Sequence, residues 1–408
     1  EHHDTSDFDL VIADEAHHCA GKISNIFGSV LDDQKIKATK KLFFTATARI
    51  LSKDVKTKSI NRDIEIASMD DLNLFGEVIY ELRFSDAIAE KLLSDYRVLI
   101  IGVDDAMIKQ KILRRNILMT NTMNLTDAET FASIIGLSKA IEEQELEKLI
   151  TFHGRVSNAK HFAETICENH PNIKVDSKKI NCDYVSSSMK VLERNFKLQE
   201  LRKDDPNTVK ILSNARCLSE GVDMPILDAI AFIDPKQSQI DIIQAVGRAI
   251  RKSKNKSKGT IVIPLYISEE ETLDEAILLS NFRKVWQIVI ALKSQDDSLV
   301  ECIDRLRIEK GIRGEIYSEN NALDKFIFDI PEKITEIFSK SIKTVLVENT
   351  SENWFENYGN LKNSFKNDYL DFSLVDINLN TWCINQRQKY KKKQLTQDKI
   401  DLLDAINF

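Results

Sequence analysis

Short apolar runs recur through the first two thirds of the chain: FDLVIAD (8–14), KLFFTAT (41–47), RVLIIGV (97–103), KLITF (148–152), TVKILS (208–213), LDAIAFI (227–233) and TIVIPLYI (260–267). Each is too short for a helix, rich in β-branched residues and continuously apolar, the pattern of a strand buried on both faces. Between them, 129–146 and 156–169 carry apolar positions at helical spacing. Strands alternating with helices predict an α/β fold of parallel sheets covered by helices. The spacing divides the chain into the end of one α/β lobe (1–80), a helical connector (81–96) and a complete second lobe (97–268).

After Tyr266 the strand runs thin out, and 269–347 is expected to be mostly helical, with 272–310 and 321–347 helical or mixed. Residues 348–408 are expected to form a small helical module. Within it, Trp382, Gln386 and Tyr390 fall near one face, while Leu395, Ile400, Leu403 and Ile406 fit a second helix capped by Thr396. A module this small needs a tryptophan for its core, so Trp382 reads as core before it reads as a stacking platform. Trp354 and Phe365 belong either to the same core or to a preceding copy.

A chain of 408 residues exceeds one core. Its 57 basic and 64 acidic side chains leave a net charge of −7, which argues against a wholly basic nucleic-acid-binding surface. Local patches remain: RKSKNKSK (251–258) and RQKYKKK (387–393). No membrane-length apolar run and no signal pattern occur, so a cytoplasmic protein without a membrane partner is expected. The six cysteines include no C-x-x-C pair, which favours free thiols over a zinc site. The opening EHHDTSDFD looks like the polar approach to a strand, so a fragment of a longer protein is expected.

The candidate chemistry begins at LVIADEAHHCAG (10–21), where a strand ends in Asp14-Glu15. Carboxylates there lie at the carboxyl edge of a sheet, where α/β ligands bind. The first suits a magnesium ion held through water, and the second suits orienting or deprotonating an attacking water. TAT places Thr45 and Thr47 at the next strand end, within reach of His17. In ILSNARCLSEGVDMP (211–225), Gly221 allows close backbone approach to a ligand and Asp223 offers a hydroxyl acceptor. QAVGRAIR (244–251) sets Gln244, Arg248 and Arg251 at i, i+4 and i+7, one helix face that presents two guanidiniums to a phosphate, with Gly247 thinning the helix beside them.

Together these segments resemble the superfamily 2 helicase and translocase motor. DEAH matches motif II, TAT motif III, TFHGRVSNAKHFA (151–163) motif IV, and the last two segments motifs V and VI, in order across residues 8–256. Within that superfamily they look most like bacterial helicases related to restriction-enzyme motors. Trp382, Gln386-Arg387 and Tyr390-Lys391 resemble the helicase-associated module. The resemblance implies tandem RecA-like lobes, the first partial, that hydrolyse ATP with Mg2+. It makes Asp14 the magnesium holder and Glu15 the activator of water. His17 would couple the site to Thr45 and Thr47; Gly221, Asp223 and Gln244 would support the nucleotide; Arg248 and Arg251 would be arginine fingers. Phe152, His153, Arg155 and Arg216 would meet the nucleic-acid backbone, as would Arg387, Lys391, Lys392 and Lys393 in the tail. DNA is favoured over RNA, and restriction or defence-system subunits as partners, through the restriction-like resemblance alone.

Two departures matter. Ala215 stands where many relatives carry a backbone-contacting Thr, leaving Ser213 or Asn214 as substitutes. No P-loop (G-x-x-x-x-G-K followed by Ser or Thr) occurs, and GKIS (21–24) follows the acid box instead of preceding it. These residues alone are therefore expected to bind ATP poorly and not to hydrolyse it. The competing reading is a non-catalytic remnant of such a motor that binds nucleic acid or protein. A nuclease or methyltransferase subunit has no local motif in its favour.

Overall fold

The computed structural model describes residues 8–60, 65–115, 125–169, 178–215, 224, 226–234, 238–253, 258–268, 280–316, 325–329, 344, 347–348, 350–366, 369–370 and 375–408. Its chain forms two units, Glu1–Leu82 and Arg83–Phe408. In the first, β1 (Phe8–Ala13), β2 (Gly21–Lys22), β3 (Ala38–Phe43) and β4 (Ile66–Ala67) are accompanied by α1 (Lys53–Ile60) and α2 (Leu72–Phe75). β1 and β3 pair in parallel, with Ala13 opposite Phe43. β1 was expected to be buried on both faces, yet Phe8, Leu10 and Ile12 are 43%, 50% and 58% exposed. A two-stranded sheet has too little neighbouring structure to cover both its faces.

The second unit opens with α3 (Phe84–Ala89), which occupies part of the expected connector. It continues with β5 (Asp95–Asp104), α4 (Asp105–Arg115), α5 (Leu125–Gln144), β6 (Lys148–His153), α6 (Val156–Asn169), β7 (Lys179–Ser186), α7 (Val191–Arg202), β8 (Thr208–Ala215), β9 (Ala229–Asp234), α8 (Gln239–Ala249) and β10 (Lys258–Ile267). With β11 (Phe326–Asp329) the strands make one sheet in the order β11-β5-β10-β9-β6-β8-β7, and every neighbouring pair is parallel. Val98 and Ile100 enter one core with Phe232, Ile261 and Ile263, beneath Ile242 and Val246 of α8. The alternate positions Leu99, Ile101 and Val103 enter the other, beneath Leu137 and Ile141 of α5 and Phe162 of α6. Burial of both faces explains why these strands read as unbroken apolar runs, each large side chain contributing about 1.5–3 kcal/mol.

The two strands that the apolar pattern does not reveal are the sheet's edges. β7 reads KINCDYVS and alternates, because its outer positions are solvated. β11 spans only four residues inside the stretch expected to be helical or mixed. Specific polar contacts hold it: Val98 N donates to Lys325 O at 2.6 Å, and Lys325 Nζ donates to Asp296 at 2.8 Å. Asp296 is fully buried and also accepts from the Tyr96 hydroxyl at 2.6 Å. Burial opposes its charge, but the Lys325, Ser298 and Tyr96 donors outweigh burial and hold the carboxyl below the usual range.

Beyond the sheet lie α9 (Ser280–Lys293) and α10 (Asp297–Arg313), then α11 (Asn353–Asn363), the small hairpin β12 (Phe365–Lys366) and β13 (Tyr369–Leu370), α12 (Ile377–Lys391) and α13 (Gln397–Asp404). Trp354 stacks on Tyr358 and shares one core with Phe365, Leu379, Cys383 and Leu403. Trp354 and Phe365 thus serve this module's own core. Asp376 caps α12 through Leu379 N at 2.7 Å, whereas Thr396, at the N-cap of α13, makes no side-chain capping bond.

α11 crosses α10 at two glycines. A Cβ on Gly359 would lie 2.2 Å from Ile308 O, and one on Gly311 would lie 2.2 Å from Glu356 O. Glu356 flanks the crossing, 2.7 Å from Arg307 and 2.9 Å from Lys310. Backbone oxygens cannot yield as a flexible side chain does. Gly359→Ala is therefore expected to destabilise the chain by ~1–3 kcal/mol in urea unfolding and to expose the α10–α11 joint to hydrogen exchange.

Candidate functional site

In the first unit β1 delivers Asp14 and Glu15 to a sharp turn. Glu15 has φ 49° and ψ 43°, left-handed backbone that few residue types adopt. The turn is held by Glu15 N donating to Asp14 Oδ1 at 2.9 Å and Ala16 N donating to Phe44 O at 2.8 Å. His17 is buried, with Nδ1 3.1 Å from Thr45 Oγ1 and 3.4 Å from Glu15 Oε2. Thr45 Oγ1 donates its hydrogen to Thr47 O at 2.9 Å, so toward His17 it accepts, and Nδ1 carries the imidazole proton. The structure thus joins Glu15, His17, Thr45 and Thr47 in one chain of contacts. Asp14 is exposed at the strand end, a hard oxygen donor suited to a magnesium ion that keeps most of its waters.

In the second unit α8 is capped by Ser238, which accepts from Asp241 N. Gln244 and Arg248 lie one turn apart on this helix, Gln244 half-buried and Arg248 buried. Arg251, which its spacing sets on the same face, lies just beyond the end of this helix. α8 ends at Ala249, Ser94 N donates to Ile250 O at 2.8 Å, and Arg251 forms an isolated antiparallel bridge with Leu93. Backbone pairing with the segment before β5 ends the helix there. A methyl group placed on Gly247 would meet only Phe84 Cζ, at 4.0 Å. Gly221, Asp223 and Arg216 lie outside the described residues.

Every strand of this sheet ends at one edge, which gathers further polar groups. Arg155 is exposed on the turn after β6. Asp234, at the end of β9, accepts from Gly154 N and from the Asn158 amide, so it positions that turn. No sequence motif singled out Asp234. Nearby, Lys284 Nζ donates to Ile233 O at 3.1 Å, and burial lowers its pKa to about 8 against the opposing pull of Glu129 and Asp234. Phe152 packs on Phe232, with ring centroids 5.6 Å apart. His153 is buried, its Nε2 3.0 Å from Thr151 Oγ1, which in turn donates to Ser213 Oγ at 3.0 Å. Contact of His153 with a nucleic-acid backbone would require its ring to leave Thr151. Ser213 and Asn214 are buried too, which places neither at the surface as a substitute for the missing Thr.

In the tail Arg387 lies over the Phe408 ring, 4.5 Å from its centroid. Lys391, Lys392 and Lys393 are exposed around the end of α12. Lys393 is left-handed (φ 54°), and the chain closes with Gln394 N on Lys389 O at 2.9 Å.

The seven-stranded parallel sheet with flanking helices forms an α/β lobe of RecA-like fold, followed by a helical module. Residues 131–253 match the helicase conserved C-terminal domain, and residues 352–408 match the helicase associated domain. It is similar to a DNA-bound ATP-dependent Type ISP restriction-modification enzyme, LlaBIII (26% identity, TM-score 0.67), over 88% of this chain and 24% of that one. IRC3 of Saccharomyces cerevisiae, provisionally named as an ATP-dependent helicase, is 22% identical over 79% of this chain and 42% of its own. Probable helicase A859L of African swine fever virus is 26% identical over 72% of this chain and 30% of its own. The chain therefore spans less than half the length of these relatives.

Two measurements check this geometry. Burial depresses the His153 pKa to about 3. Between that value and ~6.5 the unfolded chain binds a proton that the folded chain refuses, so stability falls as pH drops. The expected loss is ~2 kcal/mol between pH ~6.5 and ~5, and His153→Gln should remove that pH dependence in denaturant titrations. Gly247→Ala meets no clash and should leave the melting temperature unchanged or slightly raised.

Proposed function

We propose that these residues belong to an ATP-driven nucleic-acid helicase or translocase, acting on DNA. The observation that carries this reading is the contact chain Glu15–His17–Thr45–Thr47 at the end of β1, an acid box tied directly to the following strand. Asp14 would hold Mg2+, and Glu15 orients and deprotonates the water that attacks the terminal phosphate of ATP, breaking its bond to ADP and releasing phosphate. Bound Mg2+ supplies charge neutralisation at that phosphate. His17, with its proton on Nδ1, transmits a change at Glu15 to Thr45 and so to Thr47. Arg248 and Arg251 neutralise charge developing on the transferred group, supported by Gln244, while Gly221 and Asp223 approach the nucleotide.

Arg155, Phe152 and Arg216 contact the nucleic-acid backbone, and the basic tail of α12 adds sequence-independent phosphate contacts. The similarity to a DNA-bound restriction-modification enzyme supports DNA as substrate and a restriction or defence setting for its partners. The sequence contains no P-loop, so residues 1–408 by themselves should bind ATP weakly and show no turnover. A chain extended to include a P-loop should hydrolyse ATP in a DNA-stimulated manner. Glu15→Gln and Arg251→Ala should each lower that rate by at least ~100-fold, while DNA binding persists. Undiminished turnover in either variant would remove the role assigned to that residue.

A further inference from the structure

The helical module contains a cavity of about 550 Å³ between α11, α12 and the start of α13. This falls within the ~300–1,000 Å³ of ordinary ligand pockets. Its floor is preorganised. Trp354 Nε1 donates to Gln386 Oε1 at 3.0 Å, and Gln386 Nε2 donates to Trp382 O at 3.4 Å, with Gln386 buried. Trp382 packs obliquely on Trp354 and remains half-exposed at the cavity wall. It is therefore both core and wall.

Four carboxamides converge on this space: Asn357 from α11, Asn385 and Gln388 from α12, and Gln394 from the turn beyond. None of the four side chains makes a hydrogen bond among the described residues. Each offers a donor and an acceptor together, the combination that matches the edge of a nucleobase. Helical spacing also divides the basic run. Lys389 and Lys392, three residues apart, line the cavity, whereas Lys391 and Lys393 do not. Lys399 on the far wall is neutralised by Glu352 at 2.6 Å. Cationic groups at the rim, an aromatic wall and unpartnered amides form a composite that phosphate binding alone does not need.

We propose that this cavity takes one unpaired nucleotide of single-stranded nucleic acid. The base lies against Trp382, its edge meets Asn385 and Gln388, and its phosphate meets Lys389 and Lys392. The inference rests on the nucleic-acid reading above and changes its character: the module discriminates among bases instead of only gripping phosphates.

The test uses the 408-residue chain and four labelled single-stranded DNA homopolymers in fluorescence anisotropy, with intrinsic tryptophan emission as a second readout. Affinities are expected to differ about tenfold between best and worst homopolymer. Asn385→Ala with Gln388→Ala should erase that spread and leave the salt dependence unchanged. Lys389→Ala should weaken all four alike and reduce the salt slope by ~1. Trp382→Phe should abolish the quenching caused by the preferred homopolymer. Equal affinity for all four, unaltered by the amide substitutions, would overturn the pocket while leaving nucleic-acid binding intact. Absence of binding to any of them would overturn the nucleic-acid reading and the pocket together.

Discussion

Parallel pairing throughout the seven-stranded sheet is the constraint on which the second unit depends. Parallel strands need covering helices on both faces, so the central strands must be apolar at every position and each connection must cross the sheet. One consequence is energetic, since Leu99, Ile100, Ile101, Ile261 and Ile263 are all fully buried. The other is geometric, since every strand's carboxyl end emerges on one edge. Asp234, Gly154 and Arg155 meet there because no other edge is available to them.

The same constraint decides what the chain discloses. Strands buried on two faces write themselves as unbroken apolar runs, and those of the second lobe were legible. β7 and β11 sit at the sheet's margins, where one solvated face or a short span dilutes the signal. β11 is held instead by the Lys325–Asp296 and Tyr96–Asp296 contacts, 29 and 200 positions apart, which no local pattern can show. Spacing placed Gln244 and Arg248 on one helix face, but it could not show that Leu93 and Ser94 would claim the backbone at Ile250 and Arg251. Asp234 was invisible for a similar reason, since its importance lies in Gly154 and Asn158, far away in sequence.

Two buried histidines illustrate how one pairing serves different ends. His17 and His153 each meet a threonine hydroxyl, at 3.1 Å and 3.0 Å. His17 also faces the Glu15 carboxylate, so its contacts join two strand ends. His153 instead extends a polar ladder through Thr151 and Ser213 within the sheet, where burial keeps it neutral. A residue type inside a motif therefore does not settle its role, because the partners do. The basic tail makes the same point: Arg387 is occupied by Phe408, while Lys389, outside the expected set, lines a cavity with Lys392.

The proposal that most needs a test is that Glu15 and Arg251 both act in one kinetic step, ATP hydrolysis. A double-mutant cycle on DNA-stimulated ATP turnover tests this most directly, with Glu15→Asp and Arg251→Lys in a chain that includes a P-loop, because these milder changes leave measurable rates. Groups that stabilise one transition state are strongly non-additive. The double variant is expected to be about as slow as the slower single variant. Rate losses that simply multiply would contradict it and assign the two residues to independent tasks.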